Sequence, residues 1–123
     1  MSIFSELPPK IKGNKNNAQT SKTVRKTFAV DDRFYEKLQY LCDHVYETSI
    51  NKLVNLAIEN LIQTEKIEIY EVGYKENNFY RSYLINQDLI TGLENLSSKY
   101  GISLYRLVNI AIRNALKDEG IDV

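Results

Sequence analysis

The chain has 123 residues, 43% of them apolar, and carries equal numbers of acidic and basic side chains, 16 of each. A chain of that size buries roughly two thirds of its unfolded surface as one compact unit, and the lone cysteine, Cys42, excludes an intramolecular disulfide and points to a reducing, cytoplasmic setting. No stretch approaches the roughly 18 apolar residues of a membrane span, and Met1 to Lys10 lacks a charged region followed by an apolar one, so a soluble, unprocessed protein without a membrane partner is expected.

Charge is unevenly placed along the chain. Up to Lys26 the bases Lys10, Lys12, Lys15, Lys22, Arg25 and Lys26 stand against Glu6 alone, a net of +5 that the remainder balances with −5. Residues 1–22 also hold Pro8-Pro9, Gly13 and the run Asn14-Lys15-Asn16-Asn17, with almost nothing apolar between Ile11 and Val24. Such a segment cannot offset its own ordering entropy, so a flexible basic arm is expected. Its Lys10, Lys12, Lys15 and Lys22 suit contact with a polyanion; a solvated tail is the alternative.

From residue 23 to 64 the apolar period changes from two to that of a helix. Val24, Phe28 and Val30 alternate with Thr23, Arg25, Thr27 and Ala29, which predicts a short strand. Asp31 offers an N-cap oxygen and Asp32 a first-turn charge, and Phe34, Leu38, Leu41 and Val45 then form one helical stripe. After Tyr46-Glu47-Thr48, Ser49 opens a second helix with Ile50, Leu53, Val54, Ala57, Ile58 and Leu61 on its apolar side.

Residues 65–78, rich in tyrosine and glutamate, read as a linker, with Ile67 to Tyr70 a candidate extra strand. The first order then returns over residues 79–120. Phe79, Tyr83 and Ile85 alternate with Tyr80, Ser82 and Leu84; Asn86 caps; and Leu89, Leu93, Leu96 and Tyr100 repeat the stripe 55 residues on. Gly101 suits a left-handed turn and Ser103 the next cap, before Leu104, Leu107, Val108, Ala111, Ile112 and Ala115, now 54 residues on. The one-residue difference falls in the turn on this reading. Between Ser49–Ile62 and Ser103–Leu116, seven of fourteen positions are identical. Each copy of about 40 residues is too small to bury a core alone, so the copies need each other or a partner chain.

Strand, helix, Gly-x-Ser-type turn and helix, in that order and spacing, resemble the ribbon–helix–helix fold of the MetJ/Arc/CopG class of DNA-binding regulators. The resemblance covers roughly residues 23 to 118 as two copies; copy one departs from it in having Glu47 where copy two has Gly101. It implies a mainly α fold in which the two repeats form an intramolecular pseudo-dimer, with a two-stranded antiparallel β-ribbon over four helices. It further implies double-stranded DNA as the partner, read in the major groove by the outward ribbon residues Thr23, Arg25, Thr27 and Ala29 of copy one and Tyr80, Ser82 and Leu84 of copy two. On that basis Arg25 suits guanine, Thr27 and Ser82 either kind of base edge, and Ala29 or Leu84 a thymine methyl. The two halves differ, which implies an asymmetric half-site reading; for Tyr80 and Leu84, simple exposure or packing beneath the linker is the alternative.

The same resemblance implies phosphate anchoring at the starts of the second helix of each copy, where unpaired N–H groups gather beside Ser49 and Lys52, and beside Ser103 and Arg106. Capping alone also explains the two serines. Asn55 and Asn109 recur as well and suit interhelix hydrogen bonds.

Nothing in the chain argues for catalysis. Cys42 and His44 lie two positions apart on one helix, so they point to different faces rather than forming a nucleophile–base or metal pair. No enzyme activity, cofactor, metal or small-molecule substrate is expected. The expected function is sequence-specific binding of double-stranded DNA as a transcriptional repressor or regulator, plasmid- or nucleoid-associated, with further self-association on DNA compatible with the pattern. The alternatives are a plasmid partition or conjugation accessory protein that binds DNA, and an antitoxin-like protein-interaction module.

Overall fold

The computed structural model of the chain describes residues 3–6, 22–70 and 78–123, and for residues 5, 6, 78 and 79 the backbone alone. Strand β1 (Thr23–Asp31) leads into helix α1 (Asp32–Tyr40), which continues as a π-helical turn (Leu41–Val45), and then into α2 (Ile50–Thr64). Strand β2 (Asn78–Asn86) is followed by α3 (Gln87–Tyr100) and α4 (Leu104–Asp118). The described residues are mainly helical, with one two-stranded antiparallel sheet among them. Ile67 to Tyr70 carry no regular structure, so the extra strand considered there does not form.

The two strands pair within the one chain, from Thr23↔Asn86 to Asp31↔Asn78, with Thr27↔Ser82 as the middle rung. Alternation sorts their side chains: Phe28, Val30, Tyr83 and Ile85 are buried and Val24 is partly so, which closes one face of the sheet over the helices. The alternation fails at the end of β1, where Phe28, Ala29, Val30 and Asp31 are all buried. Ala29, expected on the outward face, is only 8% exposed.

The core lies between this inner face and the four helices. Phe34 and Leu38 of α1, Leu53, Ile58 and Leu61 of α2, Leu93 of α3 and Leu107, Ile110 and Ile112 of α4 are sealed from solvent, each worth about 1.5–3 kcal/mol of burial. Helix α4 is enclosed on more than one side, since Val108, Asn109, Ile110, Ala111 and Ile112 are consecutive buried residues. Helices α2 and α3 meet at Gly92, where a Cβ atom would stand 2.6 Å from Ile62 Cδ1.

Part of the expected arm is instead built into the body. Ile3–Glu6 form a 3-10 turn, and Phe4 is fully buried, edge-on to Tyr46 with ring centroids 5.9 Å apart. The Ile3 N–H donates to Asp118 Oδ2 (2.5 Å), and the Tyr46 hydroxyl donates to Glu119 Oε2 (2.6 Å). Phe4 thus contributes to the core what the polar composition of residues 1–22 conceals.

The one-residue difference between the copies lies in the helix, not in the turn. In copy one the chain widens to a π-helical turn, with Tyr46 N–H donating to Leu41 C=O five residues back (2.8 Å). A π-turn is how a helix absorbs one inserted residue. Beyond it Glu47 takes the place of Gly101, 54 positions on, and both are left-handed, with φ of 48° and 69°. Val45 and Tyr100, expected as the last members of the apolar stripes, are exposed. The extra residue swings Val45 outward, and Tyr100 closes its helix by donating its hydroxyl to Glu65 Oε1 (2.7 Å).

Candidate nucleic-acid interface

The outer face of the sheet carries Thr23, Arg25 and Thr27 from β1 and Tyr80, Ser82 and Leu84 from β2, all exposed. Thr27 Oγ1 and Ser82 Oγ share a hydrogen bond of 2.9 Å at the middle rung. Arg25 stands opposite Leu84 on one side of that rung, and Tyr80 stands opposite the buried Ala29 on the other. Tyr80 is 76% and Leu84 39% exposed, so neither is packed away. Of the expected outward set only Ala29 is missing.

What holds this face in place is a pair of asparagines, Asn55 and Asn109, which bond strand backbone and not, as their recurrence suggests, a neighbouring helix. Asn109, fully buried on α4, donates to Ala29 C=O (3.0 Å) and accepts from Asp31 N–H (2.9 Å). Asn55 on α2 donates to Leu84 C=O (2.8 Å) and accepts from Asn86 N–H (3.0 Å). Each side-chain amide therefore acts as a short length of neighbouring strand along one β-strand. The bonds are crossed: α2 holds β2, and α4 holds β1. Asn51 Oδ1 adds an acceptor for Leu84 N–H (3.1 Å), a role that has no copy-two counterpart because Tyr105 occupies the equivalent position. Recurrence of Asn55 and Asn109 in the repeat was the signal for these bonds; their partners were not legible.

Those bonds bring the first turns of α2 and α4 beside opposite ends of the outer face. Ser49 and Ser103 are the N-caps, and their hydroxyl oxygens accept from the Lys52 and Arg106 N–H groups, each at 3.2 Å. Earlier N–H groups of each turn have no partner within the helix, leaving a positive end. Lys52 is exposed, whereas Arg106 is half-buried: its guanidinium lies 5.3 Å from the Tyr70 ring and its Nη2 donates to Tyr70 C=O at 3.5 Å, while its buried Nε has no hydrogen-bond partner. Arg113 approaches the same ring at 5.3 Å, and Phe34 meets it edge-on. Burial pushes the Tyr70 hydroxyl up to about 12, so it stays neutral. The two expected anchors are not equivalent.

At the cap of α1, Asp31 accepts from Arg33 N–H (3.0 Å), the bond its cap role requires, and it also pairs with the Arg33 guanidinium through Nε (2.9 Å) and Nη2 (2.5 Å). Asn86 occupies the corresponding cap of α3 but makes no side-chain cap bond. Lys22 is exposed, and its C=O accepts from Gln87 N–H (2.8 Å). Lys10, Lys12 and Lys15 lie outside the described residues.

Cys42 is buried and its thiol is pushed up to about 11, chiefly by burial, so it is no nucleophile at neutral pH. His44 is exposed beside Tyr40, with ring centroids 4.9 Å apart. Among the described residues no three His, Cys, Asp or Glu side chains are grouped to hold a metal, and no helix is long and apolar enough to cross a membrane. Comparison with family models, with curated proteins and with solved structures finds no match.

Proposed function

We propose that the chain is a tandem ribbon–helix–helix protein whose two copies make one DNA-binding unit, and that it occupies sites on double-stranded DNA as a transcriptional repressor or regulator. The observation that carries this reading is the exposed ribbon face, bearing Arg25, Thr27, Ser82, Tyr80 and Leu84, with the N-terminal turns of two helices bonded beside its opposite ends. A two-stranded ribbon fits the major groove, its outward side chains meet base edges, and helix N-termini meet phosphates. The ribbon then supplies specificity, and the helix ends and basic residues supply affinity.

Equilibrium binding of the full chain to labelled duplex, followed across salt concentrations, tests the reading. Several phosphate contacts make log K fall with log[salt] by about 0.9 per contact. Arg25→Ala costs roughly 1–3 kcal/mol on a preferred site and little on random duplex, whereas Lys52→Ala weakens both alike. Equal losses from Arg25→Ala on both duplexes contradict its role as a reader. Salt-insensitive association with a protein instead of a duplex supports the protein-interaction alternative.

A further inference from the structure

We infer that the duplex this ribbon fits is non-palindromic and that a single chain binds it in one orientation, because hydrogen-bonding readout is concentrated on one side of the Thr27–Ser82 rung. The inference rests on the duplex-binding reading above and specifies its target.

Positions 55 apart exchange sides about the middle rung, so Arg25 corresponds to Tyr80 and Ala29 to Leu84. Among the described side chains, one side of the rung therefore presents Thr23, Arg25 and Leu84, and the other presents Tyr80, since Ala29 is buried. Neighbouring outward rungs are two residues apart, so the two outer rungs are separated by about 13 Å, about four base steps of 3.4 Å. They fall on different base pairs. Arg25 carries a planar fork of donors that matches the O6 and N7 acceptors of guanine, and Leu84 offers an apolar surface for a thymine methyl. Tyr80 offers a ring and one hydroxyl, which suits apolar contact with little discrimination by hydrogen bonding.

A second observation points the same way. The exposed cation Lys52 belongs to α2, whose Asn51 and Asn55 bond the backbone of Leu84 and Asn86, so it stands at the Arg25–Leu84 end. At the Tyr80 end the corresponding cation, Arg106, is held against Tyr70. Base reader and accessible phosphate ligand thus share one half. Turning the duplex end for end puts the guanine under Tyr80, where no guanidinium fork exists, so the two orientations are not equivalent.

Selection of bound duplexes from a randomised pool by the full chain, followed by titration of the enriched duplex with wild type, Arg25→Ala and Tyr80→Ala, tests the inference. Expected are a motif without two-fold symmetry, guanine preference on one side only, and one chain per duplex. Arg25→Ala should lower affinity roughly 5- to 150-fold and erase the guanine preference. Tyr80→Ala should leave the guanine preference intact and weaken positions about four base steps away; exchanging a thymine there for deoxyuracil should cost about fourfold. A palindromic motif with guanine on both sides, or the two variants relaxing the same positions, overturns the inference while leaving duplex binding standing. Retention of no duplex at low salt overturns the duplex-binding reading and the inference with it. Both residues are exposed, and unchanged circular dichroism of the variants separates lost contacts from lost fold.

Discussion

Thr27 and Ser82, 55 residues apart and at matching positions of the two repeats, face each other across the middle rung of the ribbon with their hydroxyl oxygens 2.9 Å apart. In an antiparallel pair only one rung can join matching positions of two copies, and here it is the central one. Every other outward residue is consequently set against a residue at a non-matching position of the repeat: Arg25 against Leu84, and Tyr80 against Ala29. Sequence difference between the repeats thereby becomes a spatial difference between the two ends of one surface.

The asparagine bonds make unequal demands on stability. Asn109→Ala leaves Ala29 C=O and Asp31 N–H without their partner in a fully buried site, at a cost of roughly 1–3 kcal/mol. Asn55→Ala should cost less, because Asn55 is only half-buried and water can reach its strand partners. Urea unfolding of the two variants checks the order; a larger loss at Asn55 contradicts it.

Removing His44 from the π-helical turn should be tolerated. The deletion restores ordinary α-helical spacing between Leu41 and the turn at Glu47, matching the spacing of α3. A folded protein with a thermal midpoint within a few degrees of wild type is expected. Deleting Ser98 from the regular helix α3 should instead misalign Leu96 against the turn and destabilise strongly, and equal damage from both deletions refutes the account of the π-turn.

Left-handed backbone at Glu47 is the position where copy one lacks the glycine of copy two. Glu47→Gly relieves a steric cost of about 1–2 kcal/mol and adds flexibility to the unfolded chain worth part of it, for a net gain of about 0.5–1 kcal/mol. Gly101→Ala should lose stability for the converse reason. Chemical denaturation of both variants reads the two signs.

Stability should decline as the medium turns acidic through Glu65 and Glu68. The Tyr100 hydroxyl and the Lys99 ammonium hold the Glu65 carboxyl below its ordinary range, and Lys117 does the same for Glu68. With the folded value below the unfolded one, their contribution is present above about pH 4.3 and is lost as pH falls through the folded values. Glu65→Gln and Glu68→Gln together should flatten the acid limb of the stability curve. An acid limb of unchanged steepness shows that these surface pairs contribute nothing measurable.

Strands, helices and caps were largely legible because they depend on local rules: period two in Val24 to Val30, a helical stripe in Phe34 to Leu41, serine caps at Ser49 and Ser103. The strand offset of 55 relates Thr27 to Ser82 in sequence, but that these two face each other at the middle rung is set by the pairing register, which the repeat does not specify. What escaped depends on distant packing. Phe4 is a single aromatic residue in a polar segment, and its burial is decided by the space beside Tyr46. Ala29 obeys the alternation of β1, yet the strand end is enclosed where Asn109 holds its backbone. The π-turn escaped because a one-residue offset in sequence says that a residue is inserted, not whether helix or turn takes it up. Arg106 matches Lys52 by position, but Tyr70, in a linker with no counterpart in the repeat, decides its environment.

Backbone amide chemical shifts of the full chain, recorded with and without a duplex enriched from a randomised pool, test the central claim most directly. Perturbations confined to Thr23–Thr27, Tyr80–Leu84 and the first turns of α2 and α4 are the predicted result. Perturbations centred elsewhere, on the exposed Tyr40, Asp43, His44 and Val45 or near Asn114 and Lys117 of α4, with the ribbon amides unmoved, would contradict it.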